Sequence, residues 1–254
     1  MRRFVRWLMR NVPRPLLIRM SLIFGWVLRP FYFGNRVSCP VCGHSFRKFM
    51  PYGVSSRLNV LCPSCFSLER HRLLWLWWRR ETDFFTTPYR ILHVAPEQCF
   101  VSRFRRIKDW DYTTADLESP MADIHFDLHE IPLADGSFDW VICNHVLEHV
   151  ADDRRVMSEI LRILDQGGRA ILQVPLDPDL AETHEDPLIV DPAERERQFG
   201  QRDHVRRYGR DFPDRLREAG FDVQEIDLLS RMLPDERSRY RLPEREIIYL
   251  AVKT

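Results

Sequence analysis

No stretch of the 254 residues approaches the roughly 20 uninterrupted apolar residues that cross a bilayer as a helix. The longest apolar run, Leu22 to Leu28, contains Gly25 and is bracketed by Arg19 and Arg29, with no small-residue cleavage site after it. The sequence therefore argues against a transmembrane helix and against a secretory signal. Acidic residues are almost missing from the first 80 positions, where Glu69 stands alone against 15 Arg or Lys, while the other 174 residues carry 23 basic and 36 acidic side chains. A net charge of +1 thus hides +14 at one end and −13 over the rest. Such an arm suits an anionic partner or the acidic half of its own chain. Glycine is absent where it is most expected. RILHVAPEQCF, Arg90 to Phe100, begins as the first strand of a nucleotide-binding sheet but turns through Ala-Pro-Glu-Gln-Cys.

Within residues 1–36, Arg3, Arg6, Arg10 and Arg14 recur at helical spacing beside Phe4, Trp7 and Leu8, the pattern of a basic amphipathic helix. Packing on the rest of the chain is its expected use, with an anionic membrane surface as the alternative partner. The expected location is cytoplasmic, with peripheral membrane association through this arm as the variant.

Residues 37–85 hold two Cys-x-x-Cys knuckles, Cys39-Pro-Val-Cys42 and Cys62-Pro-Ser-Cys65, separated by 19 residues. Each such turn presents two thiolates, and two turns complete a closed tetrahedral zinc site. Closed four-cysteine sites leave no position for water, so the expected role of Zn2+ is structural, in a ribbon too small to fold on apolar burial alone. Cys143 reads as a buried small hydrophobe, whereas Cys99 lies in the glycine-free turn. The following SLERHRLLWLWWRRETDFF reads as a linking helix with an apolar stripe of Leu73, Leu74, Trp77 and Trp78 flanked by Arg70, Arg72, Arg79 and Arg80. Arginine among aromatics can stack on nucleobases, yet a Trp stripe at helical spacing is more often core.

Over residues 86–254 strands and helices alternate, which predicts an α/β fold with a Rossmann-like, mostly parallel seven-stranded sheet. Strands are expected at Ile91–Val94, Tyr112–Asp116, Ile124–Asp127, Trp140–Asn144, Ala170–Val174, Val223–Asp227 and Ile247–Val252. Ligands of such sheets lie over the carboxyl ends of the strands. Asp116 closes the second strand about 20 residues after the first one ends, where a carboxylate can accept from both ribose hydroxyls. Asp127 closes the third expected strand.

The most specific stretch is LHEIPLADGSFDWVICNHVLEHVADDRRVMSEILRILDQGGRAILQVPL. It reads as a buried strand ending at Asn144-His145, a helix, a second helix, and a Gly167-Gly168 turn into the next strand. This pattern of Leu-Pro-x-x-Asp-x-x-Phe-Asp, strand, Val-Leu-Glu-His and Leu-x-x-Gly-Gly resembles the class I S-adenosylmethionine-dependent methyltransferases, over Tyr89 to Thr254. The resemblance implies S-adenosylmethionine as cofactor, with Asp116 at the ribose, Leu117 beside it among the cofactor-binding residues, Asp127 and the backbone of Leu128 around the adenine, and Asn144 and His145 beside the methionine portion. The family's first motif has an acidic residue and then alternate glycines; here those places hold His93, Ala95, Glu97 and Cys99. S-adenosylmethionine has no phosphate to approach, so Ala95 can keep the turn small while Glu97 supplies a carboxylate to the α-amino group.

Methyl transfer from a sulfonium is an in-line displacement governed by alignment. His145 is the expected base. Glu148 and His149 follow it, but no third metal ligand stands at suitable spacing, so no metal is assigned there. The long connection 176–210 is expected to build the acceptor pocket, with His184 and His204 as secondary bases. The expected acceptor is a small molecule, lipid or glycan. Two alternatives stay open. One is an RNA methyltransferase whose basic ribbon tracks phosphates, although neither an Asn-Pro-Pro-aromatic motif nor a Pro-Cys nucleophile is present. The other is a non-catalytic zinc-ribbon binding protein with a degenerate methyltransferase-like body.

Overall fold

The computed structural model describes residue 27, residues 29–53 and residues 56–254, so the basic pattern at Arg3 to Arg14 lies outside the described residues. After a short 3-10 turn at Arg29–Tyr32 come two antiparallel hairpins, β1 (Phe33–Ser38) with β2 (Ser45–Phe46) and β3 (Met50–Tyr52) with β4 (Arg57–Leu61). One knuckle lies in the first hairpin turn and the other follows β4. Each closes the same way, with the amide of Gly43 donating to the Cys39 carbonyl at 2.8 Å and that of Phe66 to Cys62 at 3.0 Å. Both closing residues have positive φ, +73° at Gly43 and +60° at Phe66. A left-handed backbone is cheap for glycine and costs roughly 1–2 kcal/mol for phenylalanine.

Helix α1 (Glu69–Glu81) is the expected linking helix, and its stripe of Leu73, Leu74, Trp77 and Trp78 is buried. Trp78 stacks on Phe84 with centroids 4.5 Å apart and meets Phe100 and Phe104 edge-on, while Trp77 meets Trp140 at 6.4 Å. Each aromatic pair contributes about 0.5–1.5 kcal/mol beyond its buried area. The stripe is core, not a stacking platform for bases.

The chain continues as β5 (Arg90–Val94), α2 (Gln98–Phe104), β6 (Asp111–Asp116), β7 (Ile124–His125), β8 (Phe138–Asn144), α3 (Asp153–Ile163) and β9 (Leu164–Gln173). It ends with β10 (His184–Glu185), α4 (Pro192–Phe199), β11 (Arg206–Arg207), α5 (Phe212–Glu218), β12 (Asp222–Ile226), α6 (Pro234–Tyr240) and β13 (Ile248–Val252). Seven strands form one sheet in the order β12-β13-β9-β8-β5-β6-β7. β13 is antiparallel to both neighbours and the remaining pairs are parallel. Strand order reverses between β5 and β8, so the ligand crevice belongs at their carboxyl ends.

Two apolar layers cover the sheet. One packs Leu92, Val141 and Leu172 against Val156, Ile160 and Leu216. The other joins Ile91, Ile142 and Leu250 to the α1 tryptophans and on to Val37, Cys39 and Phe49. The cysteine ribbon and the sheet therefore share a single core.

Three local expectations change. β7 stops at His125, leaving Asp127 in the loop beyond it. Residues 147–149 form a turn instead of a helix. Few residues separate Asn144 from Asp152, the N-cap of α3, and Arg206 takes the carbonyls of Leu147, Val150 and Ala151 that a helix would use. β9 starts at Leu164, so Gly167 and Gly168 lie inside the strand, where the register against β8 shifts. A Cβ on Gly168 would meet the Asp165 carbonyl at 2.8 Å, which explains the glycine.

Candidate active site

Immediately beyond β5 and β8 stand two non-glycine residues with left-handed backbone, Ala95 (φ +47°) and His145 (φ +56°). Each is tied to the neighbouring strand, Ala95 N to the Ala115 carbonyl at 2.8 Å and His145 N to the Gln173 carbonyl at 2.7 Å. The glycine-free turn thus takes a conformation glycine would adopt freely, at the modest strain an alanine imposes. Strain of this kind, held in place by surrounding structure, concentrates at functional sites.

Glu97, the N-cap of α2, is the hub of the crevice. Oε1 accepts from Asn144 Nδ2 at 2.9 Å, and Oε2 accepts from His93 Nε2. The Tyr112 hydroxyl closes the chain on His93 Nδ1 at 2.7 Å. His71 points Nε2 at the same carboxylate from 3.8 Å, its Nδ1 being taken by the Leu68 amide. Burial alone would raise the Glu97 carboxyl, but the histidines and Asn144 outweigh it and hold it at about 2. Burial pulls His71 down to about 3, so its ring is neutral near pH 7. Burial also keeps the Tyr112 phenol protonated and able to donate.

On the other side of the crevice, Asp116 ends β6. Its Oδ1 accepts the amides of Glu118 (2.9 Å) and Ser119 (2.7 Å), leaving Oδ2 without a bond among the described residues. Leu117 is 64% exposed beside it, an apolar surface left open at a strand end. Asp127 is exposed and binds the backbone and ring of His129, which lower its carboxyl, while Leu128 is buried in the core.

Toward the other edge, His145 lines two spaces. One is a cavity of about 10 Å³, room for roughly one water, lined by Arg70, His71, Glu97, Asn144, Gln173 and Glu246 among others. It shares His145, Arg70 and Glu246 with a cleft of about 730 Å³, walled by Arg57 and Glu69 from the ribbon side and by Leu176, Pro178, Arg237 and Tyr249. That volume suits a small-molecule ligand. A wider groove of about 1210 Å³ runs between α1 and β12, but its charged groups are already matched: Arg80 with Glu236, Arg169 with Asp83, Arg231 with Glu81.

The polar atoms of the crevice are unusual in lacking partners. Among the described residues, nine buried side-chain nitrogen or oxygen atoms have none; three are indole nitrogens. The other six are Arg70 Nε, His71 Nε2, Gln98 Nε2, Asn144 Oδ1, His145 Nε2 and Glu148 Oε2. All six belong to residues at or beside the ends of β5 and β8. Leaving such atoms dry costs about 1–3 kcal/mol each, so their concentration in one place marks a site built for a polar ligand.

Residues 92–172 match the family model described as "Methyltransferase domain". Those residues, about a third of the chain, are similar to a methyltransferase domain. Over 77 residues it is 36% identical to a Mycolicibacterium smegmatis protein named "Probable S-adenosylmethionine-dependent methyltransferase", covering 28% of this chain and 30% of that one. Over 49 residues it is 43% identical to an uncharacterized 37.1 kDa protein in a transposon of Streptomyces fradiae, covering 19% and 14%. The chain thus spans under a third of the length of these curated relatives. Among solved structures, a 1,6-didemethyltoxoflavin-N1-methyltransferase of Burkholderia thailandensis with bound S-adenosylhomocysteine aligns at 16% identity and TM-score 0.45, over 66% of this chain and 72% of that one. A Mesorhizobium loti S-adenosylmethionine-dependent methyltransferase aligns at 18% and 0.44, over 70% and 95%.

Ala95, Glu97, Asp116, Leu117, Asn144 and His145 gather at the carboxyl ends of three adjacent strands, while Asp127 and Leu128 follow the short β7. The two secondary histidines part company. His204 is buried, lines a cleft of about 370 Å³ with Leu176 and Gln201, and is pulled below the usual range by burial. His184 is exposed on β10, packs on Phe199 at 5.5 Å, and lines neither that cleft nor the one holding His145. Arg70, His71 and Glu246 escaped the sequence reading. Burial raises the Glu246 carboxyl against the pull of His145 and Arg70. Nothing in the local sequence distinguishes these three, because docking of α1 and of the loop before β13 brings them to the crevice.

At the ribbon, one sulfur of each of the four cysteines lies within 4.8 Å of the others, with Cys39 to Cys65 at 3.6 Å and Cys42 to Cys62 at 3.7 Å. The arrangement is that of a four-cysteine ribbon. Ser67 Oγ sits 3.1 Å from Cys39 Sγ, and the Ser64 amide donates to Cys62 Sγ at 3.4 Å, so the sulfurs have their own polar supports. Among the described residues no helix is long and apolar enough to cross a membrane.

Proposed function

We propose that the domain moves the methyl group of S-adenosylmethionine to a small-molecule, lipid or glycan acceptor seated in the cleft beyond His145. The observation that carries this reading is the cluster of unpartnered buried polar atoms at the ends of β5 and β8. It fits the cofactor's methionine portion, which needs a carboxylate for its amino group and a cation for its own carboxylate. Glu97 is the carboxylate. Arg70, with no partner among the described residues, is the cation. Asp116 Oδ2 meets the ribose, with Leu117 and the Asp127–Leu128 segment against the adenine.

S-adenosylmethionine, when bound, supplies a methyl group already activated on a sulfonium. The protein's own task is alignment and proton removal. His145 stands between the two spaces with Nε2 open and Nδ1 3.4 Å from Glu148 Oε1, a carboxylate that holds the ring. Nε2 would hold the proton that the acceptor gives up on methylation. Glu246, whose carboxyl is raised by burial, hydrogen-bonds an acceptor hydroxyl from the opposite wall.

The ribbon fits zinc. Four sulfurs at about 2.3 Å from one ion stand about 3.8 Å apart, close to the separations found. Arg36, Arg47 and Lys48 line a small cleft on its surface, which favours an anionic partner there and keeps RNA as a second acceptor class.

The deciding experiment is calorimetric titration of S-adenosylmethionine and S-adenosylhomocysteine into zinc-loaded protein. Micromolar affinity weakened at least tenfold, about 1.4 kcal/mol, by Asp116→Ala and by Glu97→Ala is expected. Folded protein that ignores both compounds but binds RNA in a salt-dependent manner would sink the proposal.

A further inference from the structure

The insertion brings a third ligand to a pair the sequence left incomplete. His149 and His204, far apart in the chain, meet edge-to-face with ring centroids 4.8 Å apart. With Glu148 they offer three ligand atoms, all within 4.8 Å of one another. From these residues we propose a second metal site, separate from the ribbon, for a divalent first-row transition ion.

The protonation pattern of the two rings is what a metal requires. Nδ1 of His204 lies 3.3 Å from the Phe199 carbonyl, and Nδ1 of His149 lies 3.2 Å from the Asp203 carbonyl. A carbonyl can only accept, so Nδ1 carries the proton in both rings and Nε2 presents its lone pair. Ligating histidines are held in this way, the second nitrogen donating to a backbone oxygen. Asp203 Oδ2, 3.3 Å from the same His149 nitrogen, reinforces the tautomer.

Glu148 provides the charge. Its side chain is 2% exposed, Oε1 faces His145 at 3.4 Å, and Oε2 is buried with no partner among the described residues. An unpaired buried carboxylate oxygen is costly. A dication against it removes that cost, and two imidazoles with one carboxylate suit Mn2+, Fe2+, Co2+ or Zn2+ better than the all-oxygen preferences of Mg2+ or Ca2+. Three protein ligands leave positions open, and His204 lines the 370 Å³ cleft. That cleft shares Pro175, Leu176 and Pro178 with the larger cleft reached by His145. Water or an oxygen of a bound molecule can fill the open positions. The site does not depend on methyl transfer.

The test uses the full chain with zinc in the ribbon, titrated with Co2+ and separately with Mn2+ by calorimetry and absorption. One further equivalent is expected, with weak d–d bands and no thiolate-to-cobalt charge transfer. His149→Ala, a partly exposed ring whose loss spares the core, should weaken Co2+ at least tenfold with an unchanged melting temperature, and His204→Gln should weaken Co2+ as much. His184→Ala should bind as the parent does. No uptake beyond the ribbon, uptake carrying thiolate bands, or full affinity in His149→Ala overturns the site.

Discussion

Arg72 Nε donates to the carbonyl of Tyr240 at 2.7 Å, joining the helix that follows the ribbon to a residue near the end of the chain. The same guanidinium, 0% exposed, donates from Nη2 to Arg241 at 2.7 Å and from Nη1 to Val60 at 2.9 Å and Ser67 at 2.8 Å. It also lies 4.5 Å over the Phe49 ring. Among the described residues no carboxylate bonds it; four carbonyls and an aromatic face share its charge.

Those bonds make Arg72 the junction of ribbon, α1 and the end of α6. Arg72→Leu leaves four carbonyls without their donor and is expected to cost about 3–5 kcal/mol, the range for breaking a buried charged network by removing one member. Arg72→Lys keeps the charge but lacks the planar fork and should recover less than half of the loss. Urea denaturation measures both. A loss below about 1 kcal/mol for Arg72→Leu would show that the junction contributes little.

The Glu97 cluster predicts acid sensitivity. The Glu97 carboxyl is depressed to about 2, so its contribution is complete above the ordinary carboxylate range and fades as pH falls from about 4.5 toward 2. His71 is depressed to about 3, so keeping it neutral contributes above about 6.5 and is lost as pH falls toward 3. Both act in one direction: stability declines steadily from pH 7 to pH 3. Glu97→Gln combined with His71→Phe should flatten that decline in thermal melts across the pH range. An equally steep decline in the double variant would assign it to other groups.

Much of this was readable in the sequence because it is local. The strand at Trp140–Asn144 is a continuous apolar run, Asp116 closes the second strand about 20 residues after the first, and the two Cys-x-x-Cys turns carry their spacing on their face. What escaped depends on packing. Arg70 looked like one of several flanking arginines until α1 docked on the sheet, and His204 looked like loop until the insertion laid it against His149. The turn at 147–149 read as helix because its apolar spacing is helical. Arg206, from far along the chain, decides otherwise by claiming its carbonyls.

That same Arg206 belongs to the anchor that fixes the insertion. Asp153, at the start of α3, accepts from Arg215 Nη2 at 2.8 Å and from the Tyr208 hydroxyl at 2.7 Å, both buried, and Glu185 bonds Arg206 and Arg215 from β10. Burial would raise the Asp153 carboxyl, but the arginines and Tyr208 outweigh it and keep it ionised. Asp153→Asn preserves shape while removing the charge that two buried guanidinium groups need, so a loss of about 3–5 kcal/mol is expected. The loss should concentrate in the insertion, because the crevice on β5, β6 and β8 proposed for the cofactor makes none of these bonds. Limited trypsin digestion should then cut at Arg195, Arg197 or Arg202 well before the sheet, while S-adenosylhomocysteine affinity changes less than about twofold, under 0.5 kcal/mol. Parallel loss of cofactor affinity would mean that the insertion and the crevice form one cooperative unit, and that the acceptor side cannot be varied independently of the cofactor side.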